Sequence, residues 1–167
     1  VGGLVGVNGG TVEASSATGD VTSASGNVGG LVGENDGTVA NSYATGDATG
    51  DSYHSGGLVG VNFGTIADTY ATGDVAIDSL YAGGLVGSTY TEIRRSYATG
   101  AVSANDDSGG GLVGRLAYTT VSNSYWDRGT TNQDQARNTE GTLSDVASFG
   151  ATADTAPAPE MQGSSAE

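Results

Sequence analysis

Three aspartates recur at one interval: Asp20, Asp47 and Asp74 stand 27 residues apart. On neighbouring turns of a stacked chain they would lie about 4.8 Å apart. Two carboxylates at that distance repel by about 0.9 kcal/mol in water. Bound cations would offset this, and hard oxygen donors suit Ca²⁺. So would salt, because the Debye length falls to about 3 Å near 1 M. Screening by salt is the plainer answer, so no cofactor is expected, and Asp20, Asp47 and Asp74 remain weak cation candidates. No EF-hand spacing and no Gly-Gly-x-Gly-x-Asp repeat occurs. Tyr43, Tyr70 and Tyr97 keep the same interval. They could form a platform for sugar rings or for a partner's surface. The simpler reading is a stack that stabilises adjacent strands by roughly 0.2–1 kcal/mol per pair.

Other reactive side chains carry weaker signals. His54 is the single imidazole and falls where other repeats have Asn27, Tyr81 and Ser108, so it reads as a surface histidine. Thr18, Thr45, Thr72 and Thr99 form a column that invites an ice-binding reading. The parallel column Thr11, Thr38 and Thr65 lies on another stretch and breaks at Glu92, which argues against a flat threonine face. A polysaccharide-cleaving site would need convergent carboxylates and a base. The only basic pair, Arg94 and Arg95, has unlike equivalents elsewhere and reads as surface charge relieving acidity.

Composition removes whole classes of function. The chain has 167 residues, five cationic side chains and 19 acidic ones, for a formal charge of −14. Such a chain does not hold polyphosphate backbones, which excludes nucleic acid as a partner. With no Lys and no Cys there is no P-loop lysine, Schiff base, thiol nucleophile or disulfide framework. One His cannot make a two-His metal site. No apolar run has the length of a membrane span. The chain starts at Val1, inside a repeat, and is read as a processed or excised piece.

The elements that position these columns follow from the repeat. Gly-Gly-Leu-Val-Gly occurs five times, with its leucine at Leu4, Leu31, Leu58, Leu85 and Leu112, always 27 residues apart. Asn8, Asn35 and Asn62 follow, replaced by Thr89 in the fourth unit. Then come Val12, Val39, Ile66 and Ile93, and Ser-Tyr-Ala-Thr-Gly-Asp at 42–47 with its copies. The first copy is weak, with Ser16 in place of Tyr, and the fifth carries one extra residue before Val121. Short runs of Val, Thr, Tyr and Ala cut by Gly read as strands and tight turns, and no stretch has helical apolar spacing. A unit is too poor in aliphatic groups for a core of its own, so the units must stack.

Twenty-seven residues span at most about 90 Å, one turn of a three-sided coil, and five such coils make a rod about 24 Å long. The expectation is an all-β, parallel β-solenoid (a β-helix, right-handed) of five 27-residue coils, with residues 1–125 as the array and 126–167 as an irregular closing cap and an extended, partly disordered tail. Alternation points the Leu4 column inward, together with the columns of Val12 and of Val21, Ala48, Val75 and Val102. Ser42 and Ala44 also face in, and Tyr43, Tyr70 and Tyr97 out. Asn8, Asn35 and Asn62 should form an amide ladder at a corner.

The unit resembles the GLUG repeat, over about residues 2–125. Ser124-Tyr125-Trp126-Asp127 and Glu160-Met161-Gln162 are similar to the segment that closes such arrays. The resemblance implies a large secreted or surface-attached protein of the adhesin-like kind. GLUG repeats also occur in zinc peptidases that cut immunoglobulin A. Their metal motif lies in a different domain, and no His-Glu-x-x-His is present here. The absence of Lys and the excess of Asp over Glu resemble the proteins of salt-loving archaea.

The leading expectation is a non-catalytic extracellular structural or adhesive module. The rivals are a filament subunit stacked head to tail and a carbohydrate-binding or carbohydrate-cleaving β-helix. A surface glycan or protein is the expected kind of ligand. No cap precedes the first repeat, so the face from Val1 to Gly10 is expected to be covered by upstream chain or by another subunit.

Overall fold

The computed structural model describes residues 1–51, 53–78, 80–104, 108–136 and 142–149. It is a parallel β-solenoid with a 27-residue repeat, as the spacing predicts. The second coil shows the plan: Asn27–Gly29, Val32–Asn35, Thr38–Ala40, Tyr43–Ala44 and Ala48–Gly50 are its strands. Each strand pairs in parallel with its equivalent one repeat away, as in Val5↔Val32, Val32↔Val59, Val59↔Val86 and Val86↔Val113. The strands that follow the Gly-Gly-Leu corner build a five-stranded sheet, and two further sheets are four-stranded. There are four complete coils and a partial fifth that begins near Gly111 and leaves the pattern after Asp127.

The core has two lobes. The larger holds Leu31, Leu58, Leu85 and Leu112 with Val39, Ile66, Ile93 and Val121, and also Ala44, Ala71 and Ala98. The smaller holds Val21, Val28, Ala48, Val75, Ala82 and Val102. Between them the chain is pinched at the Gly-Gly pair. A Cβ on Gly57 would sit 2.3 Å from the Gly84 carbonyl oxygen and 2.9 Å from Ala71 Cβ, so only hydrogen fits. Leu4 is the exception in its column, 49 % exposed, because the strand Val5–Asn8 has a paired neighbour on one side only.

A sharp bend separates the Thr38–Ala40 and Tyr43–Ala44 strands in each coil. Its residue takes a left-handed conformation in every copy: Ala14, Asn41, Asp68, Arg95 and Asn123 have φ between 46° and 57°. The next residue secures the bend. Ser42 Oγ donates to its own coil's Ala40 carbonyl at 2.7 Å and accepts the Ser15 amide of the coil before at 3.1 Å. Ser96 and Ser124 repeat the arrangement. The hydroxyl is buried because it satisfies two backbone groups at once.

The segment after the array is irregular, as expected, and its described part contains one short helix and one further strand. The strand Thr120–Asp127 runs through the boundary drawn at Tyr125. Asp127 caps the short helix Arg128–Thr131 by accepting the Gly129 and Thr130 amides. Residues 133–136 then cross the fifth coil, where Gln135 and Ala136 carbonyls accept the Gly111, Leu112 and Val113 amides at 2.8–3.0 Å. In the array the Leu85 carbonyl does this for Leu58. Thr142–Phe149 returns alongside Thr120–Asp127 in parallel, offset by 22 residues instead of 27. Residues 128–136 and 142–149 thus belong to a shortened extra turn. The helix stands where the array has further strands. The proline-containing stretch 155–159 and Glu160-Met161-Gln162 lie outside the described residues.

Trp126 packs beside residues 133–136. It takes the register position of Ala98, and its indole lies over Gly111, where a Cβ would be 2.1 Å from the ring. Its Nε1 donates to the Gln133 carbonyl at 3.1 Å.

Candidate functional surfaces

The aspartate column is bonded to backbone. Asp20 Oδ1 accepts the Asp47 amide at 3.0 Å, Asp47 accepts that of Asp74 at 2.8 Å, and Asp74 accepts that of Ala101 at 2.8 Å. All three carboxylates are exposed. A hydrogen bond to a charged acceptor contributes about 1.5–3 kcal/mol, more than the roughly 0.9 kcal/mol of repulsion between neighbours. The column therefore holds together through its own bonds. Among the described residues no group of three or more His, Asp or Glu is arranged to hold a metal ion.

The asparagine column lies inside. Asn8 Nδ2 donates to Asn35 Oδ1, and Asn35 Nδ2 to Asn62 Oδ1, each at 2.7 Å. Asn62 ends the ladder by donating to Thr89 Oγ1 at 3.0 Å and Thr91 Oγ1 at 2.9 Å. The Oδ1 atoms of Asn8 and Asn62 also accept the amides of Gly10 and Gly64, which fixes the corner after each strand.

Tyr43, Tyr70 and Tyr97 stack with ring centroids 4.8 and 4.9 Å apart and planes within 5°. Both faces of Tyr70 are therefore occupied by its neighbours. A sugar platform needs open ring faces, and this column presents mainly edges and hydroxyls. Burial in the stack, and then Tyr70 beside it, push the Tyr97 hydroxyl pKa up. Thr18, Thr45 and Thr72 are exposed and Thr99 half-buried, whereas Thr11, Thr38 and Thr65 belong to separate strands.

Arg95 reaches back one coil to grip Asp68 with two bonds of 2.6 Å. Those bonds hold the Asp68 carboxyl below its ordinary range and raise the guanidinium. Arg94 pairs within its coil with Glu92 at 3.4 Å.

His54 is half-buried. Its ring lies 5.6 Å from that of Tyr81, and its Nδ1 is 3.3 Å from Asn27 Oδ1. Burial first, and the positive charge of Arg115 second, lower its pKa to about 4, so it is neutral at neutral pH. Beyond it lies a group that the 27-residue pattern does not reveal. The Arg115 guanidinium carbon is 5.8 Å from the Tyr81 ring centre and 5.2 Å from that of Tyr90. Tyr90 in turn stacks on Phe63 at 4.8 Å. Each of these residues differs from its equivalents in most other coils, so only a comparison of outward positions that change type would have found them.

A rod of parallel coils, bonded to one another by repeated Asn, Asp, Ser and Tyr columns, defines a β-solenoid repeat protein. The family model for the GLUG motif matches residues 1–22, 24–49, 51–76 and 78–103, over half of the chain. The chain belongs to the GLUG-motif family. Searches among curated proteins and among solved structures find no match.

Proposed function

We propose that the chain is a non-catalytic structural and adhesive module of an extracellular, cell-surface protein. One observation carries the reading: the recurring polar and aromatic side chains bond coil to coil. The aspartates hold backbone amides, the asparagines hold each other, and the tyrosines cover each other's faces. Residues used this way give a stiff, register-locked scaffold and leave little for acid–base or nucleophilic work. The chain's strong acidity suits a salty exterior, where screening relieves self-repulsion. Among the described residues no helix is long and apolar enough to cross a membrane.

The test is protease shaving of intact cells of the source organism, followed with an antibody against the array. The reading expects the epitope to be lost from intact cells. An epitope that disappears only after lysis would overturn it.

A further inference from the structure

We propose that the upper end of the tyrosine stack, at Tyr97, is a binding site for a neutral pyranose ring of a glycan. Within the stack Tyr70 has a ring on each side, at 4.8 and 4.9 Å. Tyr97 has Tyr70 on one side only. Tyr125 is its partner in strand register on the fifth coil. Among the described residues the Tyr125 ring does not join the stack, and it is followed in register by Ala147 instead of another ring. An open groove of about 380 Å³ lies there, lined by Tyr97, Tyr125, Arg95, Ser96 and Asn123. That volume falls in the range of small-ligand sites, roughly 300–1,000 Å³. Tyr97 is 37 % exposed, so solvent reaches the groove and the ring face turned to the fifth coil is open to a ligand.

The lining selects a neutral ring. Arg95 holds Asp68 with two bonds, so its charge is matched, and the other lining residues are uncharged. A cation finds no carboxylate in the lining, and an anion is repelled by a chain of charge −14. The face of a tyrosine ring carries negative partial charge, and the weakly positive C–H face of a pyranose lies flat on it. Asn123 supplies the polar contact. It is exposed and takes the left-handed bend conformation, with φ 47°. Its equivalents bond to the coil before: Asn41 donates to Glu13 at 3.5 Å and Arg95 to Asp68 at 2.6 Å. The Asn123 side chain has no such bond among the described residues. Its amide offers a donor and an acceptor together, which match two adjacent sugar hydroxyls.

A polyproline segment is the rival occupant of an aromatic groove. That mode spreads over several ring faces, whereas one face is open here. Proline also lacks an N–H, so it would leave the Asn123 acceptor unanswered. The site binds and does not cleave. Glycosidic hydrolysis takes two carboxyl groups flanking the bond, and none belongs to the lining among the described residues. The proposal gives the adhesive reading a ligand class and rests on it for biological context. Its chemistry stands on the folded chain alone.

The test titrates the folded full chain, observed by NMR, with cellotriose, whose flat neutral rings expose C–H faces, and with hexaproline. Cellotriose should bind with a Kd of about 1 mM. It should shift the ring signals of Tyr97 and Tyr125 and the side-chain amide of Asn123, and leave Tyr43 unmoved. Tyr97→Ala should weaken it about tenfold, and Tyr97→Phe, which keeps the ring face, less than about threefold. Asn123→Ala should weaken it severalfold. The bend accepts alanine, as Ala14 shows in the first coil, so this variant serves if Tyr97→Ala does not fold. No shifts at roughly 10 mM cellotriose, shifts confined to other residues, or unchanged affinity in the folded variants would overturn the proposal. Hexaproline should bind at least about tenfold more weakly. Equal or tighter binding of hexaproline would overturn the glycan assignment in favour of a peptide. None of these outcomes bears on surface exposure of the epitope, so the two readings fail separately.

Discussion

Trp126→Ala tests whether residues 128–136 and 142–149 close the rod. The substitution restores the residue found at this register position in Ala44, Ala71 and Ala98. On an ordinary coil it would be harmless. Here residues 133–136 are spaced to accept an indole, which is 7 % exposed and packs in the larger core lobe. Truncating a buried Trp costs about 3–5 kcal/mol, depending on how far the void collapses. The lost indole bond to Gln133 leaves a carbonyl short of a donor and adds about 1 kcal/mol. The segment is held over Leu112 by backbone bonds, by Ala136 and by the Gln133 side chain's bond to the Val102 carbonyl, so partial collapse is expected and the total should fall near the low end, about 4 kcal/mol. Urea unfolding followed by far-ultraviolet circular dichroism measures it, since Trp126 is the sole tryptophan. Amide exchange should show Thr142–Phe149 loosened first and Val59–Asn62 least affected. A loss below about 1 kcal/mol, with protection of Thr142–Phe149 unchanged, would refute the closure.

Leu58→Ala, in the central coil, should cost about 2–5 kcal/mol, and Tyr70→Ala clearly less, because its stack faces outward. A larger loss for Tyr70→Ala in thermal melts would reverse the assignment of faces. His54 contributes a pH dependence of definite sign. Its folded pKa, about 4, lies below the ordinary 6.5, so the unfolded chain takes up a proton first as the pH falls. Stability from this group is present above pH 6.5, is lost between 6.5 and 4, and changes no further below. Discounted for partial exposure, the loss is roughly 1–2 kcal/mol. His54→Asn should remove that component, so parallel stability curves for the two proteins across this window would contradict it. Stability should also rise steeply with KCl, as expected for 14 net negative charges on a slim rod, and a flat melting temperature up to molar salt would count against charge screening.

The period carried most of the architecture. Leucines at one interval and alternation around Ser42-Tyr43-Ala44 are enough to stack coils and to sort inward from outward side chains, because both rest on the strand's two-residue rhythm. The bonding of Asp20, Asp47 and Asp74 was not legible, since sequence does not tell which way a turn's amide points. Residues 128–136 and 142–149 depart from the 27-residue pattern because the offset drops to 22 as a helix replaces strands. One signal was present: Thr142-Leu143-Ser144 repeats Thr120-Val121-Ser122. The Arg115 group was hidden for the opposite reason. A search for repetition passes over Arg115, Tyr81, Tyr90 and Phe63, whose meeting depends on outward positions that do not repeat.

The central claim is that the repeated side chains bond coil to coil, and the asparagine ladder states it most sharply. Asn35 and Asn62 are fully buried with their amides donating to the next coil, whereas Asn41 is exposed. Side-chain amide exchange of the native chain, measured by NMR, compares them directly. The Asn35 and Asn62 amide protons should exchange as slowly as the backbone amides of Val59–Asn62, through global opening. Exchange of Asn35 and Asn62 at the rate of Asn41 would contradict the claim.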